Sequence, residues 1–120
     1  MISMHFTKKI EKELLFEFAI FIIGMAIISA FYKNNFLATI LLILAWATGI
    51  AFWHKKHDIF FFVTGAIIGP LAEILCIHFG AWQYFNPSFL GIPAWLPLAW
   101  GLATMLIKRI AETFVKIEMK

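Results

Sequence analysis

Three long apolar runs, Leu14 to Tyr32, Phe36 to Trp53 and Ile59 to Phe79, constrain this chain more than any other feature. Each approaches the roughly 20 residues that an α-helix needs to cross a hydrocarbon core. None alternates with the two-residue period of a membrane β-strand. A backbone in lipid must also satisfy its own hydrogen bonds, which selects helix. With 62% hydrophobic and only 14% charged residues, a soluble fold of this size would lack the polar surface to cover its Leu, Ile, Phe and Trp. Soluble domains carry roughly a quarter charged residues.

A fourth run is punctuated. Uncharged sequence extends from Ala94 to Ile107, with Pro93 before it and Pro97 near its start. Proline suits the first turn of a helix, so this span is predicted to begin near Trp95 or Leu96. It is expected to run past Lys108 and Arg109, whose side chains would snorkel toward the inner headgroups. Beyond them, Ile107, Ile110, Ala111 and Phe114 recur at helical spacing opposite Arg109, Glu112 and Lys116. That pattern predicts an amphipathic continuation lying in the interface. The expected architecture is all-α. It is one transmembrane domain over residues 1–120, an integral membrane four-helix bundle with an amphipathic C-terminal extension. Its spans cover about 14–32, 36–53, 59–79 and 95–113.

The charges orient it. With four spans, one side carries nine cations: Lys8, Lys9, Lys12, Lys55, Lys56, Lys108, Arg109, Lys116 and Lys120. The other side carries Lys33 alone, and the loop from Gly80 to Pro93 has no charge. Cytoplasmic flanks collect Lys and Arg, so both termini are expected to be cytoplasmic, in a prokaryotic-type inner or plasma membrane. The net charge of +3 sits beside apolar runs and forms no basic stripe, which argues against nucleic acid as a partner and for membrane lipids. The first run has a basic start, but its apolar stretch exceeds a signal core and no A-x-A site follows. It is read as a permanent span.

Ionisable groups inside a bilayer are expensive and ask for a reason. Glu17 lies about one turn into the first span, four residues after Glu13, and is expected to reach back to the interface. Glu73 is ~21 Å along the third span from Ile59 at about 1.5 Å per residue, too deep to do so. Gly65, Gly69 and Glu73 share a helix face, and small residues at that spacing let a second helix approach. Pro70, beside that face, removes a backbone hydrogen bond. A carboxyl in a low-dielectric site favours its neutral form and in that form donates a proton or hydrogen bond. Glu73 is thus the candidate catalytic residue. The alternative role is to bond a neighbouring helix through an indole N–H, a hydroxyl or His78.

The loop after this span is uncharged, stiffened by Pro87 and Pro93, and rich in aromatic rings. Trp82, Tyr84, Asn86, Trp95 and Trp100 are the candidate ligand-binding residues, in a loop that would fold over the outer end of a pocket. Each ring also suits an aromatic belt at headgroup level. No metal or cofactor site is expected. His54, His57 and Asp58 flank Lys55 and Lys56 in a short turn that offers no converging ligand set. Cys76 is a lone cysteine in an apolar run, and is read as a small buried hydrophobe. Ser29 and Ser88 have no base beside them in sequence, and Ser3 with His5 lies in the N-terminal tail.

Residues 65–109 carry a pattern: Gly65, Gly69 and Glu73, then Gly80, Trp82, Tyr84, Asn86 and Pro87, then Gly91-Ile92-Pro93, Trp95, Pro97, Trp100 and Gly101. It resembles the core of the carotenoid-biosynthesis membrane proteins of the bisanhydrobacterioruberin-hydratase type. The resemblance implies protonation and hydration, or cyclisation, of an isoprenoid double bond. Glu73 would be the acid, with Trp82, Tyr84 and Asn86 near the substrate. Members of that family are longer and have more spans, so it also implies that two copies assemble or that this chain is a reduced relative. Residues 1–57 carry none of it.

Three functions follow as expectations. The first is a membrane site around Glu73 and the outer loop that handles a hydrophobic, isoprenoid- or lipid-like ligand. The second is a non-catalytic subunit or assembly factor, with a homo-oligomer or a larger membrane complex as partner, based on the Gly65/Gly69 face. The third is a small proton-coupled exporter using Glu17, which resembles the small multidrug-resistance transporters in size and span number. The nine-to-one charge bias weighs against the dual topology found in that group.

Overall fold

The computed structural model describes residues 8–52 and 57–119. Ser3, His5, His54, Lys55 and Lys56 lie outside the described residues. Among the described residues there are four helices and no strand: α1 (Lys8–Phe31), α2 (Asn35–Phe52), α3 (Asp58–His78) and α4 (Leu96–Met119). α1 and α3 are long and apolar enough to cross a membrane, and α2 is a shorter apolar helix. Two of the predicted spans are longer as helices. α1 begins at Lys8 rather than Leu14, and α4 continues unbroken to Met119.

Local chemistry sets the breaks. After Phe31 the polar Lys33-Asn34-Asn35 turn ends the first run, and Asn34 caps α2 by accepting the Leu37 N–H at 3.1 Å. At the end of α3, Gly80 takes the left-handed conformation with φ +84°. The Gly80 N–H then reaches the Ile77 carbonyl (3.0 Å), and the Ala81 N–H reaches that of Cys76 (2.9 Å). This is a Schellman closure, open to glycine because it lacks a Cβ. Within the α3–α4 loop, Phe89 and Ile92 pair across a tight turn whose central residues, Leu90 (φ 48°) and Gly91 (φ 84°), are both left-handed.

α4 is the hub of the bundle, with α1, α2 and α3 all against it, α3 most extensively. Glycines make the α3–α4 approach close. A Cβ on Gly65 would meet the Trp100 carbonyl oxygen at 2.7 Å, one on Gly69 would overlap the Trp100 indole, and one on Gly101 would meet the Phe62 carbonyl oxygen at 2.8 Å. Ile20, Ala38, Leu42, Ile92, Trp95, Leu96, Leu102, Met105 and Leu106 form the core. Phe62 of α3 also reaches the Trp46 ring of α2, with centroids 4.9 Å apart. Outside the core, Leu15, Ile22, Phe36, Phe60, Ile68, Leu71 and Leu75 are all exposed.

The second half of α4 departs from the sequence expectation at Lys108 and Arg109, side chains expected to snorkel toward headgroups. Arg109, Thr113 and Ile117 are buried, whereas Ile107, Ala111 and Phe114 face outward. The reason is ionic. Arg109 Nε lies 3.2 Å from Asp58 Oδ2 and is 1% exposed. Lys108 Nζ lies 3.3 Å from Asp58 Oδ1. These cations do not reach away from the bundle; they are held in it by an acid at the start of α3. Asp58 itself is no solvated turn residue, since it is the first residue of α3 and fully buried.

Candidate functional site

Glu73 sits on the α4-facing side of α3, nearly buried at 9% exposure. Its face is open to α4 because Gly69, one turn earlier, leaves room for the Trp100 indole. Trp100 Nε1 donates to Oε2 of Glu73. The Schellman closure at Gly80 turns the chain back, which brings the loop donors to the other oxygen. Trp82 Nε1 donates to Oε1 at 3.3 Å, and the Tyr84 hydroxyl donates to the same atom. One carboxyl thus gathers two indoles and one phenol from a helix and a loop. Burial, and then the hydrogen bond and charge of Glu73, hold the Tyr84 phenol well above its ordinary range. His78, a possible partner in sequence, instead lies edge-on to Phe79 with centroids 5.2 Å apart.

Tyr84 connects this cluster to a cavity. The ring of Trp95 stands edge-on to Tyr84, centroids 6.0 Å apart at 89°. Tyr84, Trp95, Phe85, Asn86 and Pro93 from the loop side, with Ile28, Ser29 and Tyr32 from α1, line a space of about 270 Å³. Glu73 is not among the lining residues. Of the residues singled out in the sequence, Trp82, Tyr84 and Trp100 surround Glu73, while Tyr84, Trp95 and Asn86 wall the cavity.

Asn86 performs a separate task. Its Nδ2 donates to the Lys33 carbonyl at 2.9 Å. Asn35 Nδ2 in turn donates to the Asn86 carbonyl (2.6 Å) and to Ser88 Oγ (2.9 Å). Ser88 Oγ also accepts the Ala94 N–H at 3.0 Å. These bonds fasten the α3–α4 loop to the α1–α2 turn and so hold the cavity walls together. Asn35, Ser88, Ile28, Ser29, Tyr32 and Phe85 carried no chemical motif that would mark them in sequence.

The opposite end of the bundle holds a second polar cluster. Glu17 is fully buried between α1 and α4, and Thr113 Oγ1 lies 3.1 and 3.2 Å from its two oxygens. It does not reach back to an interface. Lys116 Nζ lies 3.3 Å from Oε2 of Glu13, and Asp58 joins Lys108 and Arg109. The signal available in sequence was helical spacing on both partners, Glu13 and Glu17 four apart on α1 against Thr113 and Lys116 three apart on α4.

A scan of family models, a search of curated proteins and a search of solved structures return no match to this chain.

Proposed function

We propose that the chain is a multi-pass membrane protein with four spans and both termini cytoplasmic, which seats a hydrophobic, isoprenoid- or lipid-like molecule at its outer end. The observation that carries the reading is the apolar cavity whose wall residue Tyr84 is fixed by Glu73. Membrane residence is supported by the apolar, exposed faces of α1 and α3, since a soluble monomer rarely shows contiguous apolar surface on that scale. The orientation is supported by nine cations against Lys33. As a catalyst, Glu73 would protonate an isoprenoid double bond. Three donors converging on its oxygens suit an acceptor, so the geometry favours Glu73 as the group that positions the aromatic wall.

The test uses geranylacetone, an acyclic isoprenoid ketone, with protein in detergent micelles and adducts read by native mass spectrometry. Saturable binding is expected in the parent protein. Glu73→Gln is expected to weaken it, because an amide NH₂ would face one of the three donors. Ser29→Phe, which fills the cavity from α1, is expected to abolish it. Undiminished binding by folded Ser29→Phe protein would remove the cavity as the seat.

One observation supports a second reading, a non-catalytic subunit of a membrane assembly or of a homo-oligomer. Val63, Ile67, Leu71 and Leu75 leave an apolar stripe of α3 exposed. Co-purification with a larger partner at fixed ratio tests it. The exporter reading finds less support, because Glu17 is shut in between α1 and α4.

A further inference from the structure

The cavity at the loop end carries a cation at its rim. Two of its lining residues, Tyr32 from α1 and Phe85 from the loop, meet edge to face with ring centroids 5.8 Å apart. Lys33 Nζ lies over both, 5.9 Å from the Tyr32 centroid and 5.4 Å from that of Phe85. Both distances fall within the roughly 6 Å at which a ring face attracts an ammonium. The Lys33 carbonyl also accepts the amide of Asn86, a third wall residue, at 2.9 Å. The side chain is exposed, so the charge stands beside the cavity and stays in reach of a ligand. Among the described residues no carboxylate lies against it. Glu73 is taken by ring donors, and the ion pairs of Glu13, Asp58 and Glu112 belong to the opposite end.

The cavity and its rim ask for different chemistry. None of the lining residues carries a formal charge, and an ion placed among them would lose its hydration without compensation. An apolar chain belongs inside, and a charge belongs outside with Lys33. Of the hydroxyls on the wall, that of Tyr84 is committed to Glu73. Those of Ser29 and Tyr32 belong to exposed residues and add neutral donors near the cation. At about 270 Å³ the space falls just under the roughly 300–1,000 Å³ of small-molecule sites, which suits one chain rather than two. One ammonium balances one negative charge. We infer that the seated molecule is an amphiphile with a singly charged anionic headgroup, a carboxylate or a phosphodiester, held at Lys33 while its apolar chain enters the cavity. This rests on the cavity being the binding seat, and adds a headgroup preference that an apolar cavity alone would not have.

The test compares farnesoic acid with its uncharged methyl ester, in neutral detergent at about pH 8, where the carboxyl is ionised and the ammonium is retained. Both are titrated into the parent protein, Lys33→Gln and Lys33→Arg. Comparing acid-to-ester affinity ratios between proteins cancels the partition of each probe into micelles. The ratio is expected to fall about fivefold in Lys33→Gln, the worth of one cation facing an anionic lipid headgroup, and to recover in Lys33→Arg. Added salt should erode the preference in the parent protein. A second pair, oleoyl lysophosphatidylglycerol and monoolein, tells a phosphodiester from a carboxylate. A fall for either pair supports the headgroup assignment, and a fall for neither overturns it while leaving the cavity as the seat. If Lys33→Gln does not fold, an acid preference in the parent protein that salt leaves untouched overturns it equally. Undiminished, salt-sensitive acid binding by Ser29→Phe would place the anion on the surface alone and overturn the joint seat. Binding of no probe above the Ser29→Phe background overturns both the headgroup and the cavity.

Discussion

At the loop end of the bundle, Glu73 is met by two indoles and a phenol, all of them neutral donors. At the terminal end, Glu13, Glu17 and Asp58 are met by Lys116, Thr113, Lys108 and Arg109, three of them cations. The two solutions differ physically. Opposite charges compensate one another at short range, but each ion must first be taken out of water, and removing one strands the other. Neutral donors bring no balancing charge. They satisfy a carboxylate through direction, and so they fix the rings that carry them. The neutral end is also where a cavity borders the cluster. The lesson is that ions here join helices, whereas directional donors shape a surface.

The largest test of that contrast is Asp58→Asn, which strips Arg109 and Lys108 of their shared partner. Breaking one side of a buried pair typically destabilises by on the order of 3–5 kcal/mol, and denaturant unfolding in micelles would read it. A change below about 1 kcal/mol, the range of exposed pairs, would mean that charge does not hold this end.

A smaller effect is expected from Gly69→Ala, whose new Cβ would overlap the Trp100 indole. Overpacking of this kind costs about 1–3 kcal/mol, and here it also displaces a donor to Glu73. Gly49→Ala is the matched control, because no atom lies within 4 Å of a Cβ there. It should shift stability by less than about 1 kcal/mol, in the stabilising direction that helix propensity gives. Equal losses in the two variants would show that the α3–α4 approach is not what positions Trp100.

The smallest expected effect concerns pH. The folded-state Tyr84 phenol titrates above its ordinary value of 10.0, so the folded state holds this proton more tightly than the unfolded chain. Its contribution is fully present below that ordinary value and is lost as pH rises through the folded value. The parent protein should therefore lose stability above pH 10 faster than Tyr84→Phe in parallel unfolding titrations. Coincident profiles would detach Tyr84 from the Glu73 cluster.

Much of the helical frame was legible because apolar run length and turn chemistry act locally. The Lys33-Asn34-Asn35 break and the Pro93/Pro97 start of the last helix are both marked in the sequence. The second half of α4 was misread for a physical reason. An amphipathic interfacial pattern sends Arg109 toward headgroups, yet buried Asp58 pairs with it and holds it in the bundle. Pairing between residues far apart in the chain leaves no local signature. The Glu73 cluster was legible in its members, whose side-chain chemistry is distinctive. The cavity was not, because Ile28, Ser29 and Phe85 are ordinary residues that matter only through where the fold brings them.

The hub position of α4 has a consequence for biogenesis. A chain is made from its N-terminus, so α1, α2 and α3 emerge before the helix that all of them pack against. Until then Glu13, Glu17 and Asp58 wait without Lys108, Arg109, Thr113 and Lys116 beside them. The first three helices are therefore an unfinished assembly during synthesis, and arrival of the fourth is the event that neutralises it.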